Sequence, residues 1–365
     1  MKTRIVILSA FLTPFRSGAE ACAEEVPLRL TDQFDFTIIT ARMRKDLPKE
    51  DMLQGKIPVK RVGFGFKFDK WLYPFLAPRE AKKYNPNIIH AILETFAGEA
   101  LMRCKDIMPF ARRLLTLQTT NRTFRKKKIL QSPHVVTAIS MHLAGIANEM
   151  REGGVKIIPN GIDYEAIRSA CAKYPKVPGR ILFVGRLEQM KGVDLLLTAY
   201  ARANSEFGVR NSELHIVGDG SQRSTLENLA RKLGIADRVV FKGYMRSSDV
   251  NREYAEAEIF CGLSRSEALG NVFIEAQAAG CGVIHTIVGG IEEIMINAGW
   301  GVPYHGNAES VTIVEATKGL SGYLNNKELL ARHKEIGIAN ASKYDWKPIA
   351  KRYADIYKSF TLGQS

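Results

Sequence analysis

The sequence predicts an α/β protein of two Rossmann-like, doubly wound domains. Three observations carry that expectation. Short apolar runs of strand length alternate with helix-length segments, the rhythm of a parallel sheet covered by helices. The rhythm pauses at "AKYPKVPG" (172–179), a stretch with two prolines and a glycine that reads as a linker, and then begins again. The chain has 365 residues, too many for one ordinary core and comfortable for two.

In the first half the strands are "RIVILSA", "FTIITA", "NIIHAI", "RLLTLQ" and "VVTAIS", and "VKIIPNGID" closes the half with a Pro-Asn-Gly turn signal. In the second half "RILFVGRL" is a strand running into a glycine turn, and "GVDLLLTAYARAN" has helical spacing. "ELHIVGDG" is a further strand with a glycine turn. "QRSTLENLARKLGI" is an amphipathic helix ended by Gly234, and "RVVFKGYM", "EIFCGLS" and "GVIHTIVGG" complete the set. Doubly wound sheets bind ligands at the carboxyl ends of their strands, so a site between the two domains is expected.

Composition narrows the class. Hydrophobic residues make up 45% and charged residues 25%, which places the chain among ordinary globular proteins. No apolar run reaches the length of a membrane span. The start "MKTRIVILSAFL" imitates a short signal peptide, but no small-residue cleavage site follows it, and it reads better as a buried first strand. Five cysteines, scattered and odd in number, fit a reducing cytosol and no disulfide framework. The net charge of +14 is uneven: residues 1–178 hold 30 Lys+Arg against 17 Asp+Glu, and the remainder 22 against 21. The excess is dense in "RTFRKKK" (122–128) and "ARMRKDLPKE". A basic half fits nucleic acid, an anionic membrane surface, a phosphorylated substrate, or simply a solvated basic face.

Chemistry concentrates in a few strings. In "SEALGNVFIEAQAAG" (266–280), Glu267 falls on a loop after a strand and Glu275 about a turn inside a helix. Between them "LGN" presents backbone N–H groups at the helix N-terminus, a setting that favours a diphosphate. In "VGRLEQMKG" (184–192), Arg186 and Lys191 follow a strand end and could neutralise a diphosphate leaving group. "VGDG" (217–220) is another strand-end turn, and in "FRSGAE" the first strand hands over to a helix at Gly18, where backbone can approach an anion.

Together these strings resemble the GT-B glycosyltransferases, in the large retaining group called glycosyltransferase family 4. The resemblance runs nearly the full length, from "RSGAE" through "VTAIS", "IIPNGID", "FVGRLEQMKGVDLLLTAY", "HIVGDG" and "SEALGNVFIEAQAAG" to "IVGGIEEI". It implies two Rossmann-like domains facing an interdomain cleft. The acceptor-side domain would be 1–174, with a C-terminal helix at 346–360 packing back on it, and the nucleotide-sugar domain would be 179–345. By the same resemblance Arg186 and Lys191 would hold the diphosphate and Glu267 the donor sugar, and these three form the catalytic set. The amides of Leu269, Gly270, Asn271 and Val272 would contact sugar and phosphate, and Glu275 the ribose. Gly18 would lie near the donor phosphates, Gly218 at the donor, and Gly243 and Tyr244 would offer backbone to the base. Gln118 would face the donor sugar.

The chain departs from the family pattern in four places. Gln118 stands where the family usually has a histidine, and it cannot shuttle a proton at neutral pH. Ile92 replaces a second histidine two residues after His90, itself as readily a core histidine as a site residue. Ser17-Gly18 stands for a glycine pair, and "GCG" (280–282) for the usual G-x-P. The expected reaction moves a hexose from a UDP- or GDP-sugar to a glycan or lipid-linked acceptor, with retention, in cell-surface polysaccharide or glycolipid synthesis. No cofactor and no metal are expected, since no Asp-x-Asp motif is present. An anionic membrane surface is a further expected partner, nucleic acid is not, and the expected location is cytoplasmic, peripheral on the inner face of the membrane. The alternatives are a nucleotide-sugar epimerase on the same fold and a non-enzymatic polyanion-binding protein. A dinucleotide oxidoreductase is disfavoured because "VGDGSQ" lacks the G-x-G-x-x-G fingerprint.

Overall fold

The computed structural model describes residues 2–121, 125–207 and 212–362. The chain divides into two compact units, Met1–Gly161 with Trp346–Ser365, and Ile162–Asp345.

The first unit carries β1 (Thr3–Leu8), β2 (Phe34–Ala41), β3 (Glu50–Leu53), β4 (Ile57–Val62), β5 (Ile88–Ile92), β6 (Arg112–Leu117), β7 (Val135–Ala138) and β8 (Lys156–Ile157). They form one sheet in the order β3-β4-β2-β1-β5-β6-β7-β8. Every pairing is parallel except β3 with β4. β1, β2, β5 and β6 read as near-continuous apolar runs because helices cover both faces of a parallel sheet. The sequence expectation missed the β3–β4 hairpin, whose turn residues Gln54 and Gly55 both have positive φ, +48° and +68°.

The helix Trp346–Leu362 belongs to this unit, and its apolar stripe shows why. Trp346, Ile349, Ala350, Tyr353, Tyr357 and Phe360 recur at helical spacing and sit in one core with Ile5, Ile7, Phe34, Phe36 and Ile88. Gly161 is required beneath it, since a Cβ there would lie 2.5 Å from the Trp346 indole.

The second unit carries β9 (Val177–Val184), β10 (Glu213–Val217), β11 (Val239–Gly243), β12 (Ala257–Gly262), β13 (Gly282–Thr286) and β14 (Gly299–Val302). The order β11-β10-β9-β12-β13-β14, parallel throughout, is the 3-2-1-4-5-6 order of a dinucleotide-type sheet. Its direction of winding reverses between β9 and β12. Ligands of such sheets bind outside the carboxyl ends of the strands at that reversal.

The boundary corrects the sequence expectation of a linker at 172–179 and a first domain ending at 174. The helix Tyr164–Lys173 packs on the helices Ser247–Glu256 and Asn271–Ala278 of the second unit. Arg168 donates to the Ala278 carbonyl (3.1 Å), and Lys176 donates to the carbonyls of Tyr254 (3.1 Å) and Ala257 (2.6 Å). The Pro/Gly stretch is therefore tied down, and from Val177 it is already β9. The chain changes unit at Gly161–Ile162 and again at Asp345–Trp346.

Candidate functional site

At the end of β9 the chain turns through Gly185, and at the end of β10 through Gly218. The two turns touch: a Cβ on Gly218, whose φ is +131°, would fall 1.8 Å from the Gly185 carbonyl oxygen. Gly185 N–H donates to Val217 O (3.0 Å), and Gly218 N–H to Gly243 O (2.8 Å). The ladder thus extends past the strands and fixes three strand ends together. Gly218 and Gly243 serve this packing, and the Gly243 carbonyl, one of the backbone groups expected to meet a base, is already bonded. Tyr244 beside it is 77% exposed.

From there the chain enters a short 3-10 turn, Gln189–Lys191, closed by Gly192 at φ +64°. Gly192 is obligatory because a Cβ would lie 1.9 Å from Leu263 O, at the end of β12. That close approach brings Lys191 to the loop after β12. There the Lys191 ammonium donates to Glu267 Oε1 at 2.5 Å, and Ser264 Oγ donates to the same oxygen at 3.0 Å. Both side chains are mostly buried, at 17% and 11% exposure. The Lys191–Glu267 pair therefore sits at the carboxyl ends of β9 and β12, where the winding of the sheet reverses.

Arg265 braces this corner. Its backbone N–H donates to Met190 O (2.8 Å), and its guanidinium grips Asp194 (2.9 and 2.7 Å) and Glu309 (2.6 and 3.1 Å). Contacts with Asp194 and then Glu309 push its pKa well above the usual arginine value. Gly289, at φ +53°, lies under the Glu267 carbonyl, 2.0 Å from where its Cβ would be. Sequence reading missed Ser264, Arg265, Asp194 and Glu309. The signal available was the "SRSE" run of polar residues straight after a buried strand.

The helix Asn271–Ala278 follows, with Gly270 as its N-cap at φ +94°. Among the described residues the backbone N–H groups of Leu269, Gly270, Asn271 and Val272 find no acceptor. Four consecutive unpaired donors at the positive end of a helix, a few residues along the chain from Glu267 and the Lys191 ammonium bonded to it, form an anion-binding corner. Glu275 lies one turn in and is half-buried. The buried Tyr254 hydroxyl donates to it (2.8 Å) and to Val272 O (3.3 Å), which orients the carboxylate. Burial, and then the Glu275 charge, raise the Tyr254 pKa well above its usual value, so this hydroxyl stays a donor.

Arg186 is exposed at the end of β9; its carbonyl accepts from Glu188 N–H (2.9 Å), and its guanidinium has no hydrogen bond or ion pair among the described residues. Its charge contributes to holding Glu188 below the usual carboxylate range, after the larger effect of the Ser221 hydroxyl and amide bonded to Glu188. Among the described residues no group of three or more His, Cys, Asp or Glu is arranged to hold a metal ion.

In the first unit Gly18 opens the helix Gly18–Leu28, and Ser17 N–H donates to Glu20 (2.8 Å) in a capping box. Gln118 follows β6 and is 8% exposed. Its amide is matched reciprocally with Asn160, Nε2 to Oδ1 at 3.0 Å and Nδ2 to Oε1 at 2.7 Å. One N–H and one carbonyl lone pair of Gln118 remain beyond that pair. Its backbone N–H donates to the fully buried Glu94 (3.0 Å), whose pKa burial raises. His90 is a core residue: its ring nitrogens meet Tyr357 and Thr116 hydroxyls, both at 2.7 Å, and burial pushes its pKa down to about 3. Of "RTFRKKK", Arg122 to Phe124 lie outside the described residues.

Comparison with known proteins places this geometry. Residues 171–339 match the family described as glycosyl transferases group 1. An uncharacterized glycosyltransferase of Methanocaldococcus jannaschii is 33% identical over 183 residues, 49% of this chain and 44% of that protein. The chain spans about half the length of the curated relatives it matches. Sucrose-phosphate synthase from Thermosynechococcus elongatus superposes over 100% of both chains with a TM-score of 0.85 at 18% identity. HepE from Anabaena, solved in complex with UDP and glucose, superposes over 98% of this chain and 100% of its own with a TM-score of 0.78 at 19% identity. The fold is that of the GT-B glycosyltransferases, as the sequence resemblance implied.

Proposed function

We propose that the chain is a retaining glycosyltransferase of family 4, moving a hexose from a UDP- or GDP-sugar to a glycan or lipid-linked acceptor in cell-surface polysaccharide or glycolipid synthesis. One observation carries the reading: the Lys191–Glu267 pair and four unpaired backbone donors meet where the winding of the second sheet reverses. The family match over 171–339 and the UDP and glucose found in HepE support the donor class. In this reading the amides of Leu269 to Val272 and the Lys191 ammonium receive the diphosphate. Glu267, already oriented by Lys191 and Ser264, accepts hydrogen bonds from the sugar hydroxyls. Glu275, oriented by Tyr254, accepts from the ribose.

As the glycosidic bond to the diphosphate breaks, negative charge grows on the leaving oxygen. Lys191 and the helix N-terminus are held donors facing that charge, the exposed Arg186 guanidinium is free to swing onto it, and together they supply what a metal ion supplies elsewhere. The acceptor hydroxyl attacks from the face the diphosphate leaves, and the departing phosphate takes its proton. A carboxylate nucleophile is not part of this path, since Glu267 is held by the ammonium.

The test is release of nucleoside diphosphate from a panel of UDP- and GDP-hexoses, with and without EDTA, and the anomeric configuration of the product by NMR. Release that survives EDTA, with retained configuration, supports the proposal. No release with any donor, inversion, or loss of rate with chelator contradicts it.

A further inference from the structure

Within the stretch 64–75 of the first unit five large aromatic side chains lie exposed: Phe64, Phe66, Phe68, Trp71 and Phe75, at 64, 40, 51, 65 and 49%. Scattered exposed apolar residues are ordinary, but a run like this on one surface is not. The exposure is built into the backbone. Gly63 and Gly65 have φ +114° and +90°, and Cβ atoms there would fall 2.4 Å from Asp69 Cγ and 2.8 Å from Lys45 Cα. Asp69, fully buried, accepts from the N–H groups of Gly65 (2.6 Å) and Phe66 (3.2 Å). The loop backbone is thus drawn inward while its phenyl rings point out.

The helix Asp69–Lys82 continues the surface. Tyr73, Pro74, Ala77, Pro78 and Ala81 face the core. Trp71, Phe75, Arg79 and Lys82 are on its exposed side, aromatic in the first turns and cationic in the last. More cations border the rings. Lys45 stands 4.6 Å from the Phe66 centroid, Lys70 5.9 Å from that of Trp71, and Arg103 4.0 Å from that of Phe75. The only acid from 63 to 75 is the buried Asp69.

We propose that this surface docks on an anionic lipid bilayer. The rings enter the boundary between headgroups and acyl chains, and Lys45, Lys67, Lys70, Arg79 and Lys82 meet the lipid phosphates. Charge complementarity selects an anionic partner. The ring geometry selects lipid over single-stranded nucleic acid: Phe66 and Phe68 stack on each other (5.3 Å, 8°), and Lys45 and Arg103 cover faces of Phe66 and Phe75. Bases stack on open aromatic faces, whereas acyl chains need only apolar edges. The excess of 30 cations over 17 acids in residues 1–178 draws the same half toward the surface. Among the described residues no helix is long and apolar enough to cross a membrane.

The test is co-sedimentation of the full chain with phosphatidylcholine vesicles, with and without about 30% phosphatidylglycerol, at low and high salt. Trp71 fluorescence is read alongside, since Trp346 is buried and Trp300 half-buried. Binding to the anionic vesicles at low salt is expected, with a blue shift that Trp71→Phe abolishes while binding persists. Phe64→Ser with Phe68→Ser and Trp71→Ser lowers affinity on the order of a hundred-fold. Lys67→Gln with Lys70→Gln lowers it about ten-fold. All five positions are surface sites, so circular dichroism should be unchanged. The proposal is overturned by absence of binding at low salt, by binding without the blue shift, or by full binding of the triple serine variant. It is equally overturned if the rings prove to join two copies of the chain, seen as a dimer that the triple variant dissociates, or to bind single-stranded oligonucleotide in place of vesicles.

Discussion

Lys191→Ala removes one ammonium from the corner where β9 and β12 end. In the resting protein the loss is small. Glu267 keeps the Ser264 hydroxyl at 3.0 Å, the pair is still partly reached by water, and the stability cost is about 1 kcal/mol. No core cavity forms, because Lys191 lies in a surface 3-10 turn. In the transition state the loss is larger. A fixed cation facing a developing diphosphate is worth about 2–4 kcal/mol, which is about thirty- to a thousand-fold in kcat. Lys191→Arg keeps the charge and should recover part of the rate. Glu267→Gln keeps an acceptor for Ser264 but frees Lys191, so the double variant should lose less than the sum of the singles. The assay is the initial rate of diphosphate release at saturating donor, beside urea unfolding of each variant. A Lys191→Ala rate within about threefold of wild type, or a rate loss matched by a collapse in stability, refutes the reasoning.

Two further predictions concern the framework. Gly218→Ala places a methyl 1.8 Å from the Gly185 carbonyl at φ +131°, with no side chain to yield, and should cost about 3 kcal/mol or more in urea unfolding; Gly234→Ala, at φ +68° with nothing within 4 Å, should cost only about 1–2 kcal/mol. Equal costs at the two positions would contradict the contact between the strand ends. Burial depresses the pKa of His90 from 6.5 to about 3 and of His285 to about 4, so the unfolded chain binds more protons and stability falls as pH drops below 6.5. Each imidazole should remove about 2 kcal/mol between pH 7 and 5. Unchanged unfolding midpoints over that range, or an NMR titration of His90 above pH 5, would contradict its neutral burial.

What the sequence disclosed and what it withheld separate on physical lines. The strands of both sheets were legible because parallel strands buried on both faces leave unbroken apolar runs, as in "RIVIL" and "ILFV". The β3–β4 hairpin was not, because Pro58 and the four charged residues Glu50, Asp51, Lys60 and Arg61 disguise a half-buried edge. The boundary at Gly161 was misplaced because proline and glycine mark turns as readily as linkers, and only tertiary bonds to Lys176 and Arg168 decide between them. In the site, Glu267, Glu275 and the Gly270 cap were visible through a local helix-start pattern. The Lys191–Glu267 bond was not, since it spans 76 positions and depends on Gly192 fitting under Leu263. The Asn160 partner of Gln118 was likewise hidden inside "PNG", which reads only as a turn.

The central claim is that the corner formed by Lys191, Glu267 and the Leu269–Val272 amides holds a nucleotide sugar. Thermal shift with UDP-, GDP- and ADP-sugars measures this without an acceptor, because a ligand that binds only the folded chain raises Tm. One nucleotide series should raise Tm in a concentration-dependent way, the same series should give a much smaller rise with Lys191→Ala, and Trp71→Phe should respond like wild type. No rise with any nucleotide sugar, or an undiminished rise in Lys191→Ala, would contradict the account.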